Sequence, residues 1–162
     1  MPTLAEAAAD FLAQHRLAVA GVSRKGDVAA NIVYKKLRGA GYAVFAINPN
    51  ADVVEGDPCY PNLAAIDGGV DGVVIATHPD QALEMVEQCI AAGVPRVWIH
   101  RSFGQGSVTE AAVARCVEVG IAVIPGACPM MFCDPVDMGH RCMRWVLKHT
   151  GKLPAPAPAS RA

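Results

Sequence analysis

Leu17-Ala18-Val19-Ala20-Gly21-Val22-Ser23-Arg24-Lys25-Gly26 passes from an unbroken apolar run into a loop of small and cationic side chains. A strand with one wet face alternates apolar and polar residues, so the continuous run over residues 17–22 predicts a strand buried on both faces. Residues 29–40 follow with Ile32, Val33, Leu37 and Ala40 at helical spacing, and Gly41 is placed to stop that helix. A doubly buried strand that exits through a glycine loop into an amphipathic helix is half of a parallel βαβ unit.

The pattern repeats along the chain. Residues 43–47 form a second apolar strand, ended by Asn48-Pro49-Asn50, where proline and asparagine favour a turn. Residues 51–69 read as a loop region with a short strand near Val53 and a short helix over residues 63–66. Further strands are expected at 72–76, 96–100 and 121–124. Helices are expected at 3–15, 79–92 (with Pro79 at the first position), 108–119 and 136–149. Strands alternating with helices predict an α/β protein: a doubly wound, mostly parallel sheet covered on both faces in three layers, with right-handed crossovers. Residues 1–150 read as one domain, and the Pro/Ala-rich residues 151–162 as a disordered tail.

Composition bounds the function. Hydrophobic residues at 52% and charged residues at 18% supply a real core, and a net charge of −1 argues against a nucleic-acid surface. Residues 1–20 are interrupted by Glu6, Asp10, His15 and Arg16 and lack a signal-peptide layout, and no apolar run is long enough for a membrane span. The expectation is a cytoplasmic protein whose six cysteines are reduced thiols.

In an open α/β sheet, ligands bind beyond the carboxyl ends of the strands where the strand order reverses. The segments expected there are Gly21-Val22-Ser23-Arg24-Lys25-Gly26, Ile47-Asn48-Pro49-Asn50, Ala76-Thr77-His78-Pro79 and His100-Arg101-Ser102-Phe103-Gly104. Gly21 permits a tight turn, Ser23 offers a hydroxyl, Arg24 and Lys25 offer charge, and the next helix begins with free N–H groups: together, a phosphate site. The competing reading is an ordinary strand–helix turn with solvated basic residues. Ser23 stands where a dinucleotide fingerprint has its second glycine, and Asn48 where NAD domains carry an acid on the ribose. NAD is therefore disfavoured, and ATP hydrolysis more so.

The combination Ala20-Gly21-Val22-Ser23-Arg24, Asn31, Gly41-Tyr42, Ile47-Asn48-Pro49, Gly56, Cys59-Tyr60-Pro61-Asn62-Leu63, Val70-Asp71 and Pro79 resembles the CoA-binding domain family. This is the Rossmann-like module also found at the start of succinyl-CoA synthetase α subunits. The resemblance implies coenzyme A or an acyl-CoA as ligand. Ser23 and Arg24, beside Gly21, Val22 and Lys25, would meet the phosphates or the 3′-phosphoadenosine end. Asn48 and Pro49 would shape the nucleotide pocket, with Asn50 nearby. Thr77, His78 and Pro79 would form its other wall, and His100 and Arg101 would follow the pantetheine arm. The phosphohistidine segment and second domain of the synthetases are missing, which implies binding without ligation: a stand-alone carrier or sensor. Alternatives are a small NAD(P)-dependent oxidoreductase, a CoA-dependent transferase working with a partner, or an interaction module.

Residues 125–133 leave the last strand as an apolar run. Cys128 there is read either as a buried inert thiol or as a partner for a mixed disulfide with the ligand. Cys128, Cys133, His140 and Cys142 do not follow zinc-ligand spacing, so no metal is expected. Met130, Met131, Phe132 and Trp145 are expected to pack on the sheet, with a homodimer interface as the second reading.

Overall fold

A computed structural model describes residues 1–159. Seven strands form one sheet: β1 (Arg16–Ala20), β2 (Ala43–Ile47), β3 (Val53–Val54), β4 (Asp57–Tyr60), β5 (Gly72–Ile75), β6 (Arg96–Ile99) and β7 (Ala122–Pro125). Their spatial order is β3-β4-β2-β1-β5-β6-β7, parallel throughout except for the β3–β4 pair. The helices are α1 (Leu4–Leu12), α2 (Ala29–Gly39), α3 (Ala82–Ala91), α4 (Glu110–Val119) and α5 (Met138–His149). This is the expected doubly wound, three-layer α/β architecture.

The strands alternate between two cores. Leu17, Val19, Val74 and Trp98 pack with α1, α2 and Met131 on one face, while Ala18, Ala20, Val73, Ile75, Val97 and Ile99 pack with α3 and α4 on the other. Both faces being dry explains why β1 and β6 are apolar at every position after their first residues, Arg16 and Arg96. Phe11 of α1 meets Trp98 edge-on at 5.4 Å between ring centroids, and Gly72 makes room for it, since a Cβ there would stand 2.9 Å from the Phe11 ring. The start of α1 is fixed by a capping box in which the Thr3 hydroxyl accepts from the Glu6 N–H and the Glu6 carboxylate accepts from the Thr3 N–H.

Two regions differ from the sequence expectation. β4 lies within the segment read as mostly loop: Asp57-Pro58 looks like a turn, yet Pro58 sits opposite Val53 on the two-residue edge strand, where a missing donor is tolerated. The tail was expected to be disordered over 151–162. Within the described part of it, Ala157 instead pairs with β7, exchanging two 2.9 Å backbone hydrogen bonds with Val123, and Pro156 is buried. Short proline and alanine side chains let an extended chain lie close against a sheet edge. The rest of that expectation, residues 160–162, lies outside the described residues. Among the described residues no helix is long and apolar enough to cross a membrane.

Candidate functional site

The chain leaves β1 for β2 on one side and returns to β5 on the other, so the strand order reverses between β1 and β5. A cleft of about 920 Å³ opens above that point. It is lined by residues of all four expected segments: Gly21, Val22 and Ser23, then Ile47, Asn48, Pro49 and Asn50, then Ala76, Thr77, His78 and Pro79, and finally His100, Ser102 and Phe103. Four loops, from β1, β2, β5 and β6, thus converge on one space. Its volume lies within the range of small-molecule and cofactor sites.

Gly21 governs how closely two of these loops approach. Its φ is +101°, and a Cβ there would stand 2.2 Å from the Ala76 carbonyl oxygen. Only glycine lets the β1 loop lie against the end of β5, a cradle that any side chain would fill. Beyond it, Asn31 clamps the loop. This wholly buried side chain accepts from the Ser23 N–H at 2.7 Å and donates to the Ser23 carbonyl and to Glu55 Oε1, both at 2.8 Å. Asn48 performs a similar task between loops, donating to the Val22 carbonyl at 2.8 Å and accepting from the Asn50 N–H at 2.8 Å. Its amide is thus committed to the backbone.

α2 starts at the cleft. Val28 and Ala29 line the space, and the Val28 cap position carries no side-chain hydrogen bond to the first N–H groups. Unsatisfied donors at a helix N-terminus favour an anion. Across the cleft, Thr77 donates to the His78 carbonyl at 3.0 Å, and the His78 ring faces Asp80 at 3.2 Å. Arg24 and Lys25 do not line the cleft; both are exposed on the loop next to Ser23 and belong to no ion pair among the described residues. Arg101 is likewise off the lining, its Nε lying 3.6 Å from where a Cβ on Gly126 would stand. The lining therefore contains no lysine or arginine, and Glu84 is its single carboxylate.

The far end of the cleft belongs to the loop after β6. His100 is 7% exposed, and burial, reinforced by nearby His140, pushes its imidazole down to about 4. The ring is neutral at pH 7 and stands 3.4 Å from the Ser102 hydroxyl. Such a group offers hydrogen bonds without charge, which suits amides and carbonyls better than phosphates. Ser107 ties the same loop back by donating to the Thr77 carbonyl at 2.5 Å.

Sequence reasoning did not place Pro61, Asn62, Gln81, Glu84, Met85, Gln88, Gly106 and Ser107 in the site. Pro61 and Asn62 arrive from β4, the strand that the sequence hid. Gln81 caps the start of α3, and Glu84, Met85 and Gln88 belong to its first turns, reachable from Pro79 by helical spacing.

Cys128 is 3% exposed and off the cleft lining, and burial pushes its thiol up to about 11. Thiolate exchange is thereby suppressed, which favours the inert reading. Of the cysteines only Cys142 is exposed. Native protein should release about one equivalent of thiolate chromophore promptly with dithionitrobenzoate, against six after denaturation. Two prompt equivalents would show that Cys128 or another core thiol is open to solvent. Among the described residues no group of three His, Cys, Asp or Glu side chains stands close enough to hold a metal ion.

Comparison with known proteins bears on this site. The profile of a CoA binding domain matches residues 15–134. The uncharacterized protein YneT of Bacillus subtilis is 30% identical over 127 residues, covering 78% of this chain and 91% of that protein. The ADP-forming acetate–CoA ligase I of Archaeoglobus fulgidus is 33% identical over 105 residues, covering 64% of this chain but 15% of the ligase. A solved structure of a hypothetical protein from Pyrococcus horikoshii superposes with a TM-score of 0.74 at 27% identity, over 84% of this chain and 96% of that one.

Proposed function

The chain belongs to the CoA binding domain family, and from that premise we propose that its cleft binds coenzyme A or an acyl-CoA, and that the protein acts as a stand-alone carrier or sensor in the cytoplasm without ligase activity of its own. The carrying observation is the meeting of four strand-end loops with the uncapped start of α2 in one cleft. Coenzyme A would supply a phosphorylated nucleotide, a pyrophosphate and an amide-rich arm ending in a thiol. The residues fit each part. The Gly21 cradle and the N–H groups opening α2 would take the pyrophosphate, with exposed Arg24 and Lys25 free to close on the outer phosphates. Asn48-Pro49-Asn50 and Thr77-His78-Pro79 would flank the nucleotide. Neutral His100, with Ser102, would hydrogen-bond the arm.

The NAD reading lacks its key group. Asn48 stands at the end of β2, and its amide is spent on Val22 and Asn50 rather than being free for a ribose.

Thermal unfolding with candidate ligands tests the proposal. Coenzyme A at a hundred times its Kd should raise Tm by about 5–10 °C, the shift produced by some 2.7 kcal/mol of linked binding in a domain of this size. NAD should do less at equal concentration. No shift with millimolar coenzyme A would refute the assignment, and a larger shift with NAD would favour the oxidoreductase alternative.

A further inference from the structure

Beyond the cleft, α5 presents its apolar side to solvent. The CoA binding domain match ends at residue 134, and α5 lies beyond it. It is firmly seated. Leu147 is buried, Arg144 donates to the Met131 carbonyl at 3.2 Å and lies over the Phe132 ring, and Asp137 caps the first turn. At 3.6 residues per turn, Met138 points roughly 180° away from Leu147. On that outward side stand Met138 at 77% exposure, Trp145 at 62% and Val146 at 40%, with Cys142 also exposed. A helix whose inner face buries one side chain while its outer face shows a tryptophan and a methionine has an unfilled contact.

The spacing of that contact is specific. Positions 138, 142, 145 and 149 follow one another by four, three and four residues, the a/d seam of a helix that pairs with another helix. His149 completes the seam by stacking on Trp145 at 4.2 Å between ring centroids. Arg141 and Lys148 occupy the flanking positions on one side of the seam.

Charge selects the occupant. All 15 acidic residues of the chain lie at or before Asp137, whereas five of the 14 basic ones follow it. Two copies of α5 paired through this seam would set Arg141 and Lys148 against the same residues of the other copy if antiparallel, a like-charge clash, and against the opposite flank, which holds Gly139 and Val146, if parallel, with no charge partner. A helix with acidic residues beside its own apolar seam would meet complementary charge instead.

We propose that the outward face of α5 is a docking surface for an amphipathic helix of a different protein, with an apolar seam flanked by glutamate or aspartate. None of Met138, Cys142, Trp145 and His149 lines the cleft, so ligand binding and docking can be scored separately.

The test uses the full chain and two synthetic three-heptad peptides with leucine at a and d, one carrying glutamate and the other lysine at e and g. The glutamate peptide, kept from pairing with itself by repulsion, should bind and shift the emission of Trp145 to the blue, while buried Trp98 contributes a constant background. Trp145→Ala should weaken binding at least about tenfold, as for a central aromatic anchor. Arg141→Glu with Lys148→Glu should reverse the preference toward the lysine peptide. Both variants should melt with the parent and keep its response to coenzyme A. Any of four results overturns the proposal: no binding of the glutamate peptide, equal binding of the two peptides, a dimer of the chain alone that Trp145→Ala returns to monomer, or capture by phosphatidylglycerol vesicles without binding of the peptide.

Discussion

Replacing Gly21 with alanine should abolish coenzyme A binding and cost on the order of 3–5 kcal/mol of stability, from backbone strain at positive φ and overpacking together. The argument is geometric. At φ +101° an L side chain is strained before any neighbour is considered, and the added carbon would stand 2.2 Å from the Ala76 oxygen, 2.6 Å from its carbonyl carbon and 2.9 Å from the Thr77 nitrogen. All three are backbone atoms at the end of β5, so nothing flexible can yield. Relief requires the ends of β1 and β5 to part, which removes the floor of the cleft. Gly41 supplies the control. Its φ is +94°, but no atom lies within 4 Å of the added carbon, so Gly41→Ala should show strain alone, about 1–2 kcal/mol. Urea unfolding of the two variants separates collision from strain. Equal losses would mean that the close approach of the loop to β5 carries no energy.

Asn31→Ala should lower stability by about 2–4 kcal/mol, because the half-buried Ser23 N–H and carbonyl both lose their partner and a wholly buried side chain is removed. Coenzyme A affinity should also fall, by roughly tenfold or more, since even small displacement of a positioning loop is costly. Asn31 acts through the Ser23 loop and is a positioning residue. Asn31→Asp gives a finer reading. It keeps an acceptor for the Ser23 N–H but sets a second carboxylate against Glu55, which now receives the amide at 2.8 Å. Adding Glu55→Gln should recover part of the affinity. Unchanged affinity of folded Asn31→Ala, measured by calorimetry, would show that the loop keeps its shape without the clamp.

The parts of the fold legible in the sequence were those buried on both sides. Residues 17–20, 72–75 and 97–99 carry no polar side chain because helices cover both faces of the sheet, and an unbroken run marks its own burial. β4 was hidden because Asp57-Pro58 carries turn chemistry on a strand that needs few donors. The candidate site was legible as a set of strand ends, since topology alone brings them together. Side-chain direction was not. Arg24, Lys25 and Arg101 neighbour cleft residues in sequence but leave the lining, because position along a loop says nothing about rotation around it. Met130, Met131, Phe132 and Trp145 read in sequence as one apolar group. Met131 is wholly buried while Trp145 is 62% exposed, and the difference arises from which side of α5 faces the sheet.

The strap formed by residues 151–159 has a property that follows from where its prolines fall. Ala157 directs both its N–H and its carbonyl inward to Val123, so the peptide groups of residues 156 and 158 turn away from the sheet. Both are prolines and have no N–H to offer. Among the described residues, a strand from another molecule approaching beside Pro156 and Pro158 would find acceptors and no donors, which opposes zipper-like growth of the sheet there.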